Sequence, residues 1–125
     1  VDAEEVVDML LDETENRLNI TDQNIVVTGS ISVDDANLLS ATTTGVVTAS
    51  IATTETVDSL LNLAGTNAYT IVISSDDAAV SADDLNTISA LTTEAIDATA
   101  VTDITRDTIS NINTLLIAGN DTAQF

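Results

Sequence analysis

The chain has 125 residues, with 21 acidic against two basic side chains, a net charge of −19, and no cysteine, histidine or proline. A surface of that charge repels phosphate, which argues against nucleic acid and anionic membranes as partners. Tyr69 and Phe125 are the only aromatic residues, so we expect a core of small branched side chains stacked in layers.

The first residues have the pattern of an amphipathic helix. Apolar residues recur at helical spacing from Ala3 to Leu18, Asp2 occupies the N-cap position, and Glu4 and Glu5 fall in the first turn, where carboxylates are favourable. We interpret residues 1–22 as a cap or as the end of a preceding repeat. There is no initiator Met, signal sequence or membrane-spanning run, so we expect a processed or excised piece of a longer protein.

Four strand-then-helix pairs follow. Strands are expected at Ile25–Thr28, Val46–Ser50, Thr70–Ser74 and Ala95–Thr99, and helices at Asp34–Ala41, Glu55–Ala64, Ala82–Leu91 and Arg106–Ala118. Leu61 and Leu115 are expected at equivalent buried helix positions. The spacing of about 20 to 28 residues between strands predicts an α/β fold, namely a right-handed βα solenoid with parallel strands, like a leucine-rich repeat, and an N-terminal capping helix.

The chain also repeats itself after about 49 positions, which is typical of arrays and solenoids. Nine spaced residues recur in one register, and on this basis we place repeat 1 at residues 23–67 and repeat 2 at residues 68–125. The matched residues are Ser32, Asp34, Asp35, Asn37, Ser40, Ala41, Thr43, Thr44 and Ala49, followed by Ser81, Asp83, Asp84, Asn86, Ser89, Ala90, Thr92, Thr93 and Ala98.

Each repeat carries a Ser-x-Asp-Asp motif directly before a helix, at Ser32 and at Ser81. The simpler interpretation is helix capping, with the serine hydroxyl accepting from a first-turn amide and the carboxylates near the positive helix end. The alternative is a calcium site, because Ca²⁺ needs clustered oxygens. Its expected ligands are Asp76, Asp77, Asp83 and Asp84.

The composition does not favour catalysis. Without His, Cys or Lys, the chain lacks the usual bases, thiol nucleophiles and Schiff-base formers. A two-carboxylate hydrolase is the one remaining enzymatic alternative. We expect no enzyme, no catalytic residues and no cofactor other than calcium.

Three stretches of the second repeat, Tyr69–Ser74, Val80–Ile88 and Thr92–Ala98, resemble the tandem repeats of very large cell-surface and secreted proteins of cyanobacteria and other marine bacteria. The resemblance implies an extracellular structural or adhesive role, often with calcium. Ala36 and Thr48 depart from the pattern at the positions of Leu85 and Asp97.

The resulting hypothesis is a structural repeat segment of a secreted cell-surface, filament or surface-layer protein. Its partners would be copies of itself or neighbouring repeats, joined end to end, with no nucleic acid bound and no insertion into a membrane. The alternative is a calcium-dependent adhesion or ligand-binding module whose glycan or surface ligand the sequence does not identify.

Overall fold

The computed structural model describes residues 20–119, and the predicted N-terminal helix lies outside this range. In chain order the elements are β1 (Ile25–Ile31), α1 (Val33–Thr42), β2 (Val47–Ile51), α2 (Val57–Leu60), β3 (Ala68–Thr70), a 3₁₀ turn (Ser75–Asp77), β4 (Ala79–Ser81), α3 (Ala82–Ala90), β5 (Asp103–Thr105) and α4 (Ile109–Gly119).

All strand pairs in the described residues are parallel. Strands β1, β2 and β3 form one sheet in that order, and β4 and β5 form a second sheet of two strands. Two isolated parallel bridges, Asn67 with Thr92 and Val72 with Asp97, extend the pairing beyond β3. The predicted α/β class with parallel strands is therefore confirmed. We call residues 25–42, 47–60, 67–90 and 92–119 units 1 to 4.

Alternating side chains explain why these segments pair as strands with one face in the core. In β2, Val47, Ala49 and Ile51 are buried while Thr48 and Ser50 are exposed. The buried residues of the sheet and of helices α1 to α3 form one continuous apolar cluster, which is the core of the molecule. Tyr69 on β3 is fully buried within it.

Two of the expected strands differ from the structure. The third is Ala68–Thr70 rather than Thr70–Ser74, with Val72 contributing only an isolated bridge. Ala95–Thr99 is not a strand, and only its Asp97 pairs. The Asp97 carboxylate accepts from both the amide and the hydroxyl of Thr99, so a local turn replaces the extended backbone there. The three-residue strands β4 and β5 were not expected.

The helix bounds also need correction. The predicted helix Glu55–Ala64 is a single turn, α2, because the Asn37 side chain binds the carbonyl of Asn62 and the amide of Ala64 and diverts them from helical pairing. Leu60, rather than Leu61, is the buried leucine of α2.

The fourth helix differs in a similar way. It begins at Ile109 and not at Arg106, because the Thr108 hydroxyl accepts from the amide of Asn111 and caps it. Leu61 and Leu115 are both partly buried and pack against the core, so the two positions are equivalent as expected, although neither is fully buried.

Candidate assembly interface

The serines of the two Ser-x-Asp-Asp motifs cap helices. Ser32 accepts from the amide of Asp35 at 3.1 Å, and Ser81 accepts from the amide of Asp84 at 3.0 Å. Both serines have extended backbone, as N-cap residues do. The capping interpretation of this motif is confirmed.

The proposed calcium ligands lie in two places. Asp76 and Asp77 belong to the 3₁₀ turn, and Asp83 and Asp84 to the first turn of α3. Residues 20–119 contain no group of three or more acidic side chains arranged to hold a metal ion. The structure therefore does not bring these four carboxylates together, and the effect of calcium stays a prediction.

A different set of carboxylates, which the sequence patterns did not predict, joins consecutive units. The amide of Val33 at the start of α1 donates to Glu55 of unit 2 at 3.0 Å. The amide of Val57 at the start of α2 donates to Asp77 at 2.9 Å. Helices α1 and α2 therefore each receive, at the positive end, a carboxylate supplied about one unit later in the chain.

The start of α3 follows the same rule. The amide of Asp83 donates to Asp107 at 2.7 Å, across 24 residues. The pKa of Asp107 lies below its ordinary value, chiefly because the Asn111 side chain donates to it and then because the Asp83 amide does. A carboxyl group whose pKa is lowered by folding stabilises the fold at pH values above its ordinary pKa. That contribution is lost as the pH falls through the lowered pKa of the folded state. The available signal was an acidic residue directly before a capping threonine, as in Glu55-Thr56 and Asp107-Thr108.

Two threonines, about 49 positions apart, make equivalent bonds between units. The Thr43 hydroxyl donates to the carbonyl of Gln23 and accepts from the amide of Gly45. The Thr92 hydroxyl donates to the carbonyl of Tyr69 at 2.6 Å and accepts from the amide of Glu94 at 3.1 Å. Gly45 is required in the first case because a Cβ there would collide with the backbone of Gln23.

Two asparagines form a second equivalent pair, with one difference. Asn37 donates to the carbonyl of Asn62 at 2.9 Å, and its Oδ1 accepts from the amide of Ala64 at 2.7 Å. Asn86 donates to the carbonyl of Asn111 at 3.0 Å, but its buried Oδ1 finds no partner in the described part of the chain. The reason is that α4 continues as a helix past this point, so its amides are used internally.

The last unit exposes positions that the first three bury. The first residue after each N-cap is Val33, Val57 and Ala82 in α1 to α3, all buried, whereas Ile109 in α4 is 86% exposed. At the fourth position Ala36, Leu60 and Leu85 are at most 2% exposed, and Ile112 is 37% exposed. Leu116 and Ile117 of α4 are exposed as well. We call this surface the α4 face.

An open groove of about 520 Å³ is lined by Ala95–Thr99 of unit 4. A smaller pocket, lined by Val33, Asp34, Glu55, Ser59 and Asn62, lies between units 1 and 2. In that pocket Glu55 is already used to cap α1. Neither of these two cavities holds a pair of carboxylates that is free of a structural role.

No protein-family model, curated protein or solved structure matches this chain. Among the described residues, no helix is both long and apolar enough to cross a membrane. Function must therefore be inferred from the geometry alone.

Proposed function

We propose that the chain is a structural repeat segment of a right-handed βα solenoid, and that it assembles end to end through its last unit in a secreted cell-surface, filament or surface-layer protein. The observation that carries this proposal is the α4 face, which exposes the same helix positions that units 1 to 3 bury.

The contacts between units support the solenoid. Backbone and side-chain bonds link each unit to the next over 20 to 25 residues, and the parallel pairing runs from β1 to the bridge at Asp97. In a solenoid, repeats of about this length stack so that each contacts only its neighbours, and strands of successive repeats pair in parallel. The right hand follows from the general preference of parallel strand-helix-strand connections.

The distribution of charge supports contact at the C-terminal end. The stretch 104–119 contains one acidic and one basic residue, Asp107 and Arg106, although the whole chain has a net charge of −19. Self-repulsion between copies is therefore smallest where apolar surface is most exposed. Because this face contacts a different surface on the next copy, the association does not close and extends into filaments.

An array of repeats is consistent with the internal repetition, and an extracellular location is what the resemblance to the repeats of large secreted proteins implies. The acidic surface keeps such an array soluble and separates neighbouring arrays except at their ends.

The test compares aspartate substitutions at two exposed aliphatic residues, Ile109 and Leu38. Ile109→Asp places a charge on the α4 face at a helix start, where a carboxylate does not harm the helix. Leu38→Asp on α1 is the matched control, since Leu38 is also exposed but lies in unit 1. Light scattering and negative-stain microscopy across a salt series should show end-to-end assemblies for the parent chain and the control, and none for Ile109→Asp.

A chain that stays monomeric at high concentration and high salt would contradict the proposal. It would leave a passive spacer within a longer protein as the better account. Equal loss of assembly in both variants would show that contact does not occur through the α4 face.

A further inference from the structure

Two asparagines join units from the same position of their helices. Asn37 is the fifth residue after Ser32, the N-cap of α1. Asn86 is the fifth residue after Ser81, the N-cap of α3. Each side chain donates to a backbone carbonyl of the following unit, at 2.9 Å for Asn37 and 3.0 Å for Asn86. A carboxamide at this helix position therefore reaches across the boundary between two units.

Helix α4 carries an asparagine at the same position. Thr108 caps α4, and Asn113 is the fifth residue after it. Helix α2 is a single turn that ends before its fifth position, so α1, α3 and α4 are the helices to compare in the described part of the chain. The side chain of Asn113 is exposed and makes no hydrogen bond to residues 20–119. Helix α4 therefore presents to solvent the group that joins units elsewhere in the molecule.

Asn113 lies in the middle of the α4 face. Residues three and four positions apart share one side of a helix, so Ile109, Leu116 and Ile117 surround Asn113. All three of these apolar side chains are more than half exposed. A single polar side chain within an apolar contact fixes the register of that contact, because a displaced partner leaves the polar group without a hydrogen bond.

The contacts within the molecule indicate what covers this surface. At the equivalent positions of α1 and α3 the covering element is the following unit, which a second copy of this chain can also supply. Charge favours the same occupant. Arg106, next to the start of α4, is exposed, and it attracts a copy whose net charge is −19.

We propose that Asn113 binds a second copy of the chain in the end-to-end contact. Its Nδ2 donates to a backbone carbonyl of that copy, as Asn37 and Asn86 donate to the following unit. The apolar residues of the α4 face supply the contact area, and Asn113 sets the register in which the copies join. This inference rests on the end-to-end assembly proposed above and names the residue that makes it specific.

The test is Asn113→Leu, which makes the α4 face more apolar while removing the carboxamide. A purely apolar contact would become stronger. A contact that depends on Asn113 should become weaker, so that assemblies form only at a protein concentration about tenfold higher or more. Thr87→Leu is the matched control, since it makes a similar change at an exposed position of α3, and it should assemble like the parent chain.

Light scattering over a concentration series measures both variants. Because Asn113 and Thr87 are exposed, the melting temperatures of the two variants below the assembly concentration should equal that of the parent chain. This comparison separates a loss of assembly from a loss of folding.

The possible results distinguish this inference from the proposed function. If Asn113→Leu assembles at the parent's concentration or a lower one while Ile109→Asp does not assemble, the end-to-end function holds and the role of Asn113 is wrong. An equal loss of assembly in Thr87→Leu would also overturn the inference, because the effect would not be specific to the α4 face. A parent chain that never assembles would overturn both.

Discussion

Thr92 shows how much a single hydroxyl does between units. It is buried, donates to the carbonyl of Tyr69 and accepts from the amides of Tyr69 and Glu94. Thr92→Val keeps the shape but leaves three backbone groups without this partner, so the free energy of unfolding should fall by about 1–3 kcal/mol. Urea denaturation measures this, with the exposed Thr93→Val as control. An equal effect of the two substitutions would show that the bonds of Thr92 do not stabilise the fold.

Tyr69 gives the protein a titration that can be observed by itself. Burial raises the pKa of the Tyr69 hydroxyl above 10.0, with smaller lowering contributions from hydrogen bonds to Asn67 and Ser40. The raised pKa means that folding favours the neutral phenol. Its contribution to the stability of the fold is therefore complete below pH 10 and is lost as the pH rises through the pKa of the folded state.

The chain has one tyrosine and no lysine or cysteine, so no other side chain titrates near pH 10. The melting temperature should therefore fall between about pH 9 and 12 in the parent chain and stay level in Tyr69→Phe. A decline of the same size in Tyr69→Phe would contradict the assignment.

At the scale of single residues, the sequence predicted the capping serines, because their role depends only on neighbours along the chain. It did not predict the partners of Thr92 or Asn37. Those bonds join residues 20 or more positions apart, and the pairing register that brings them together is set by the whole sheet.

At the scale of secondary-structure elements, two neighbouring carboxylates of the 3₁₀ turn can be compared, because Asp77 accepts from the start of α2 and Asp76 does not cap a helix among the described residues. Asp77→Asn removes a charged acceptor from the amide of Val57 and should cost about 0.5–1 kcal/mol. Asp76→Asn makes the same change of net charge at a side chain that caps no helix, so it should be neutral or slightly stabilising through reduced repulsion. Chemical denaturation of the two variants distinguishes these effects. If Asp76→Asn is the more destabilising variant, the capping account of Asp77 is wrong.

Helices α1 and α3 match their predicted positions closely, because cap, apolar spacing and length all agree. Helix α2 was predicted too long, since Asn37 of a different unit competes for its last backbone groups. Strands β4 and β5 have only three residues each, too few for an alternating pattern to stand out from the loops around them.

For the whole molecule, a net charge of −19 makes stability depend on salt. Screening of self-repulsion should raise the melting temperature equally in NaCl and CaCl₂ at matched ionic strength. A larger response to calcium that disappears in the double variant Asp76→Asn, Asp77→Asn would support the adhesion-module alternative. Equal responses would remove it.

The hydroxyl of Tyr69 also reaches the carbonyl of Ala36 at 3.3 Å, across 33 residues, and so links unit 3 directly to unit 1. Most other side-chain links join adjacent units only, so in the solenoid proposed above the ends can come apart one unit at a time. Because Tyr69 spans two boundaries, units 1 to 3 should resist tension as a single block while unit 4 peels first. When the chain is pulled from its two ends, it should unfold in two steps, a small one as unit 4 separates and a larger one when units 1 to 3 rupture together.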